Sequence, residues 1–382
     1  MAGNPGARRR LRLGVLCGGP SAEHRISLLS SRHIVEGARD AGFEAVCIGV
    51  DMAGRWLLYG AADHLVAADD PRTVALAPGG RPVVAAPAAA GGQLRPLDGR
   101  GAAVALDVVF PVMHGPYGED GKVQALLEAA RIPYVGCGVT ASALCMDKDH
   151  TKAVLRAAGL PVVEWVAIRR DETERAAPER LRDRLGAPPY FVKPANLGSS
   201  VGISRVDRLD AIGPALALAF AHDRKVLIER AVRGRELECA LLGNERPEAS
   251  GVAEIVVRGR HRFYSYEAKY LDEAGAALRL AADLDATVRE RIRTLAVAAF
   301  RVLGCRGLAR ADFFLSDRGE IFLNELNTMP GFTRISMFPK LWEREGLTIG
   351  PLVARLVELA LADRPAGEAT EPAREPQAAV TP

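Results

Sequence analysis

The chain has 382 residues, 48% apolar and 25% charged, the profile of an ordinary soluble globular protein with enough core for two or three domains. Its formal charge of +3 is too near neutral to argue for nucleic acid, and no apolar run approaches a membrane span. The basic cluster Arg8-Arg9-Arg10-Leu11-Arg12 reads as a solvated leader, and residues 13–17 are too short an apolar run for a signal peptide. Six cysteines (17, 47, 137, 145, 239 and 305) lack metal-type spacing and sit among apolar neighbours, as buried free thiols of a reducing cytoplasm do.

In chain order, residues 11–17 read as a buried strand, followed by Gly18-Gly19-Pro20-Ser21-Ala22-Glu23-His24. Apolar residues from Ile26 to Val35 recur at helical spacing and residues 45–50 form a second strand, a parallel α/β unit. No G-x-G-x-x-G fingerprint is present, so this loop positions Glu23 at a helix N-terminus rather than holding a dinucleotide. Residues 60–103, rich in Ala, Gly and Pro, read as a poorly specified connector without chemistry. Residues 104–112 form a buried strand ending in Met113-His114-Gly115-Pro116-Tyr117-Gly118-Glu119-Asp120-Gly121. A lone histidine there is more often structural, but the glycines crowding His114 favour a ligand-facing loop after a parallel strand. A helix starts near Lys122, and residues 132–135 form a short strand.

Met146-Asp147-Lys148 leads into a helix to Ala158, residues 162–168 form a strand, and residues 171–186 a charged helix. Residues 190–194 form a strand ending at Lys193-Pro194, ahead of Gly198-Ser199-Ser200-Val201-Gly202. That loop of small residues has the N–H and hydroxyl groups to cradle phosphate oxygens, although alone it reads rather as an ordinary hairpin turn. Lys193 supplies a point charge beside it, and Lys148 becomes a second phosphate contact only in that company. This is not a Walker A loop, since no Gly-Lys-Ser/Thr occurs. Residues 225–230 and 235–243 are two further strands. Glu229-Arg230-Ala231-Val232 ends the first, where backbone groups can meet an adenine edge. In the second, Glu236 and Glu238 share a face and Glu238 reads as solvent-exposed. Phe263-Tyr264-Ser265-Tyr266-Glu267-Ala268-Lys269-Tyr270 is unusually aromatic for a chain with 5% aromatics, as a partner-binding strand or a loop over a site would be. Residues 286–304 form an amphipathic helix, and the Pro-, Ala- and Glu-rich tail after 364 reads as disordered.

The densest chemistry lies in two β-prone runs around the turn Ser316-Asp317-Arg318-Gly319. A loop centred on Asp317 and Arg318 places Arg310 opposite Glu325, Asp312 diagonal to it and Asn327 one step beyond. All four share a strand face, with Phe314, Ile321 and Leu323 nearer the turn. Two carboxylates and an amide oxygen are hard ligands suited to Mg²⁺ at a phosphate, and an arginine beside them stabilises developing negative charge. A solvated sheet face with a cross-strand Arg–Glu pair is the competing reading. Pro330 and Gly331 then stop the strand and bring a backbone N–H toward a ligand.

Taken together and in this order, from about residue 11 to 360, these segments resemble the D-alanine–D-alanine ligases of the ATP-grasp superfamily. The resemblance implies an α/β fold of three domains with ATP between the central and C-terminal ones. It divides the chain into a Rossmann-like domain (1–137), a central domain (138–228), a C-terminal domain (229–364) and a tail (365–382). It implies that Lys148, Lys193 and Lys269 contact phosphates and that Ser199, Ser200 and Val201 form the loop over them. Glu229, Arg230, Ala231, Val232 and Glu236 would line the adenosine pocket. Asp312, Glu325 and Asn327 would ligate two Mg²⁺ ions, with Mn²⁺ able to substitute and Glu325 bridging. Glu23 would receive the ammonium of the first D-alanine, Arg310 and the Gly331 N–H would form the oxyanion site, and Ser336 with the Met337 N–H would hold the second carboxylate. Tyr270 would link the aromatic loop to Ser199 and Glu23, and His114 would face substrate. A cytoplasmic homodimer supplying peptidoglycan precursor is the corresponding expectation. Arg25, Arg230 and Ser265 depart from the commoner pattern without removing a catalytic role. A D-alanine–D-lactate ligase is a rival that Tyr270 argues against. A non-catalytic nucleotide-binding module is another, which the joint presence of Arg310, Asp312, Glu325 and Asn327 argues against.

Overall fold

In the computed structural model, which describes residues 9–60, 64–86, 92–199, 201–257, 276–280 and 283–363, three main sheets succeed one another along the chain. The expectations for Ser200, Ser265, Lys269, Tyr270 and the tail lie outside these residues. Strand Arg12–Gly18 pairs in parallel with Glu44–Val50 on one side and Val108–Pro111 on the other. Leu13, Val15 and Cys17 pack against helix His24–Asp40, while Leu16 packs toward helix Lys122–Ala129. A parallel strand covered on both faces has to be apolar throughout, which explains its unbroken apolar run.

The connector expected at 60–103 is instead partly strand. Arg81–Ala85 and Gln93–Pro96 extend the first sheet antiparallel through Trp56–Leu58, and Leu65–Val66 with Ala75–Leu76 makes a small ribbon. Val83 and Ala85 are buried while Val84 between them is exposed, the alternation of an outer strand. Residues 104–112 also divide: Val104–Ala105 and Val108–Pro111 lie at opposite ends of the strand order, so the sheet curls round until its ends meet at Leu106 and Asp107. Residues 132–135 contribute only a bridge, Val109 to Tyr134.

The second sheet is antiparallel, in the order Trp165–Arg169, Lys225–Arg230, Tyr190–Pro194, Ser204–Val206. The helix expected after Met146-Asp147-Lys148 runs from Lys148 to Ala157, and the Asp147 side chain caps it by accepting the N–H groups of Asp149 and His150. The helix expected over 171–186 is broken into Thr173–Ala176 and Pro178–Leu185. Ala177 is extended, as the ring of a following proline requires. Ala231, Val232 and Arg233 carry the chain into the third sheet, ordered Ala276–Leu280, Glu248–Val257, Gly234–Gly243, Gly307–Ser316, Ile321–Asn327. Helix Ala286–Val302 covers one face of it, and helix Met337–Arg344 packs on the other.

The first and third sheets share one continuous core. Phe332 meets Phe110 edge-on with ring centroids 5.3 Å apart, and helix Ile349–Ala362 lies on Gly37 of the first helix. Fully burying a side chain such as Phe332 contributes on the order of 2–3 kcal/mol, so the segment carrying it is pinned at the seam between the two units. The six cysteines are free and buried. Among the described residues no helix is long and apolar enough to cross a membrane.

Candidate active site

The two strands of the C-terminal hairpin form as expected, but their register differs. Asp312 faces Glu325 and Arg310 faces Asn327. Two local events cause this. The turn holds three residues, Asp317, Arg318 and a left-handed Gly319 (φ 81°), closed by Ser316 N–H to the Glu320 carbonyl at 2.8 Å. A bulge then places Asn324 as an extra residue between Leu323 and Glu325. The four polar groups still share a face. Ile321 and Leu323, expected beside them, turn instead to the core with Phe313, and Phe322 stands across from Phe314.

Arg310 binds both oxygens of Asp312, Nε to Oδ1 and Nη2 to Oδ2 each at 2.7 Å, and lies 3.1 Å from Glu238 Oε2. Glu238, expected in solvent, is buried. The Asn327 amide donates to Asp312 Oδ2 at 3.0 Å. Two carboxylates and an amide oxygen, gathered by register and held by cations rather than by apolar packing, fit a hard divalent cation. Among the described residues no group of three or more His, Cys, Asp or Glu side chains is placed to hold a metal ion.

Lysines from the second unit meet this face. Lys148 Nζ lies 3.2 Å from Glu325 Oε2 and donates to the Leu197 carbonyl at 2.7 Å. Lys193 Nζ reaches Asn324 Oδ1 at 3.5 Å and Glu229 Oε2 at 2.9 Å. Glu229, read from sequence as part of an adenine-facing segment, turns its carboxylate inward between Lys193 and the fully buried Lys152. Beyond it Arg230 is exposed with its guanidinium 5.9 Å from the Phe322 ring, and the Ala231 N–H is taken by the Pro189 carbonyl. Val232 follows on the connecting turn, and Glu236 lies across from Phe314 on the neighbouring strand.

Glu23 stands at the start of helix His24–Asp40, buried under the loop from the second unit. The Ser199 hydroxyl donates to Glu23 Oε1, and Ser199 takes a left-handed backbone (φ 50°), which a non-glycine residue adopts only under local constraint. The Val201 N–H closes that loop onto the Gly198 carbonyl at 3.3 Å. Gly115 is required here: a Cβ on it would stand 2.5 Å from Glu23 Oε2. Both ring nitrogens of His114 are engaged, with Ser30 Oγ at 3.1 Å and the Met329 carbonyl at 3.0 Å, so His114 braces the loop carrying Gly331. The Phe332 N–H to Ser30 Oγ (3.2 Å) and the Phe332 carbonyl to His33 (2.9 Å) complete that brace. Burial lowers the pKa of both histidines. Next to Gly331, the Ser336 hydroxyl accepts the Thr333 N–H at 3.0 Å. Met337 opens the helix that follows, in a first turn whose amides have no acceptor within the helix.

Glu119 completes this acidic edge. Its carboxylate accepts the Gly115 N–H at 2.7 Å, and burial, with the Glu23 charge adding to it, pushes its pKa up to about 8. The unfolded chain releases this proton near 4.5, so the folded form holds more protons between the two values and stability falls as pH rises through that window. Glu119→Gln keeps an oxygen for Gly115 but cannot ionise. Its melting temperature is therefore expected to gain on the wild type by about 2–5 °C between pH 5 and pH 8 and to hold that lead above. A pH-independent difference in thermal melts would contradict the assignment.

A cavity of about 940 Å³ lies elsewhere, walled by Leu242, Val297, Arg301 and Trp342, and holds none of these groups. Sequence reasoning passed over Lys152, Glu119 and Asn324. Lys152 had a usable signal, since it shares the buried stripe of its helix with Lys148, Thr151 and Leu155. Asn324 had none, because nothing in the sequence announces the bulge.

A lysine-lined cleft between two α/β units, facing a hairpin that carries carboxylates, defines an ATP-grasp ligase, and solved structures of like fold agree. That class of ATP-dependent ligases implies ATP and a divalent cation. Residues 12–137 match the D-ala D-ala ligase N-terminus and residues 154–358 the D-ala D-ala ligase C-terminus. D-alanine--D-alanine ligase A of Chromobacterium violaceum is 47% identical over 352 residues, 92% of this chain and 95% of that protein. The Escherichia coli (strain K12) protein of the same name is 44% identical, over 92% of this chain and 96% of its own. The D-alanine-D-alanine ligase from Coxiella burnetii superposes with a TM-score of 0.79 at 37% identity, covering 92% of this chain and 94% of its own. A D-Ala:D-Ser ligase from Enterococcus faecalis does so at 0.78 and 32%, covering 92% and 100%. The chain belongs to the D-alanine–D-alanine ligase family.

Proposed function

We propose that this enzyme joins two D-alanines into D-alanyl-D-alanine at the expense of ATP, through a D-alanyl phosphate, for peptidoglycan precursor synthesis. The observation that carries the reading is the joining of three segments at one cleft: Ser199 on Glu23, Lys148 on Glu325 and Lys193 at Asn324. Lys148 and Lys193 exchange these partners for ATP phosphates, and residues 199–201 close over them. The backbone from Glu229 to Val232, with the Glu236 side chain, lines the adenosine. Asp312, Glu325 and Asn327 would hold divalent cation, read as two Mg²⁺ ions with Mn²⁺ able to serve, which would neutralise phosphate charge when bound.

Glu23 takes the ammonium of the first D-alanine, and a carboxylate oxygen of that molecule displaces ADP from the γ-phosphorus. Ser336 and the Met337 N–H orient the second D-alanine by its carboxylate. Its amine attacks the acyl carbonyl, phosphate departs and the nitrogen loses a proton. The Arg310 guanidinium and the Gly331 N–H stabilise the oxyanion between these events. A carboxylate becomes an acyl donor only when phosphorylated, so a loop that excludes water is part of the chemistry.

Phosphate release from ATP is expected with D-alanine alone and not with L-alanine. Adding D-serine or D-lactate beside D-alanine tests the specific alternative raised by the D-Ala:D-Ser ligase of the same fold, and mass analysis of the product decides it. ATP turnover independent of D-alanine, or none with any of these substrates, would sink the proposal.

A further inference from the structure

Lys152 has no exposed surface, yet it is one helical turn from Lys148 and ends at a charge row behind the phosphate lysines. Its Nζ lies 3.1 Å from Glu229 Oε1 and 3.3 Å from the Val163 carbonyl, with the Trp165 ring 5.7 Å away. The other Glu229 oxygen, Oε2, faces Lys193 at 2.9 Å. Glu229 is only 3% exposed, so water screens neither contact appreciably. Lys193 forms the outer end of the row, next to Asn324 on the hairpin.

The charges of this row decide what Lys193 can offer. Two ammoniums and one carboxylate leave a net positive charge, and Lys193 is the cation at the cleft. Without Lys152, Glu229 and Lys193 would make a closed neutral pair, and a phosphate would have to break it. We propose that Lys152 is a positioning residue that neutralises Glu229 from behind and so leaves the charge of Lys193 available to the nucleotide phosphates. The inference rests on reading Lys193 as a phosphate lysine.

The alternative is that Lys152 only ties its helix to strand Lys225–Arg230. A buried ion pair is a poor device for that, since apolar residues of similar volume usually stabilise as well or better. Burial pushes the Lys152 pKa down to about 8, with Glu229 opposing the fall. Burial works to raise the pKa of Glu229, yet the Lys152 and Lys193 ammoniums together hold it below its ordinary value. Lys152 and Glu229 are therefore both charged at neutral pH.

The test uses the full-length enzyme and measures ATP affinity without D-alanine, KM for both substrates, and thermal stability. Lys152→Met is expected to weaken ATP binding by about tenfold or more while KM for D-alanine stays within about twofold. Adding Glu229→Gln should restore most of the ATP affinity, because Lys193 is released. A purely structural lysine would give no such rescue. Wild-type ATP affinity in Lys152→Met, or a double variant no better than the single one, overturns the inference. Should Lys152→Met fail to fold, the double variant decides alone: near-wild-type ATP affinity supports the proposal, and a loss of about tenfold or more refutes it. Lys193→Met separates the two levels. Unchanged ATP affinity there removes the phosphate-lysine reading itself, whereas a loss there with Lys152→Met unaffected removes only the role of Lys152.

Discussion

Replacing Arg310 by methionine is expected to lower kcat by about 10²–10³ and stability by about 3 kcal/mol. The two effects have separate causes. Arg310 spans both oxygens of Asp312 and lies 3.1 Å from Glu238, whose carboxylate is buried. Methionine fills the volume but strips a cation 3.1 Å from that carboxylate, and removing one partner of a buried pair costs more than removing both. On the proposed mechanism the rate falls because the tetrahedral intermediate loses its charged donor. Lysine cannot substitute, since a point charge does not reproduce a planar fork on Asp312. Chemical denaturation and steady-state kinetics on Arg310→Met and on the same variant with Glu238→Gln separate the causes. The second substitution should return most of the stability and none of the rate. If it returned the rate as well, Arg310 would have only a structural role.

Much of this site was legible because strand alternation survives errors of register. Arg310, Asp312, Glu325 and Asn327 were placed on one face by their spacing, and they share it even though the cross-strand partners shifted by two residues. The shift itself was unreadable. The three-residue turn and the bulge at Asn324 each add one residue, and neither leaves a mark on apolar periodicity. The bulge also turned Leu323 into the core, where it packs with Phe313. Glu238 was misread for a related reason. It lies in strand Gly234–Gly243, whose stretch from Leu237 onward is buried on both faces, so a rule made for half-exposed strands does not apply. The segment at 60–103 was misread because glycine and proline that punctuate short hairpins look the same as those of an unstructured linker. Contacts between distant segments, such as His114 with Met329 or Ser199 with Glu23, follow from tertiary packing and have no local sequence signal.

Glu325→Gln is expected to reduce turnover by at least about 10³-fold while leaving the fold intact. Glu325 stands across from Asp312 and two residues before Asn327 on the shared face, and Lys148 lies 3.2 Å from its Oε2. Glutamine matches its size but offers one neutral oxygen donor where the carboxylate offers two that share a negative charge. The loss should therefore reach beyond kcat. In wild-type enzyme, Mg²⁺ added with ADP should raise the melting temperature above the value with ADP alone, because a ligand that binds only the folded form stabilises it by mass action. In Glu325→Gln that increment should shrink or vanish, although ADP alone still stabilises through Lys193 and the adenosine-lining segment. Asn327→Asp is the matching control: it keeps an oxygen donor at its position and should retain the Mg²⁺-dependent increment. Near-normal turnover in Glu325→Gln, with its Mg²⁺ response intact, would remove Glu325 from the metal site.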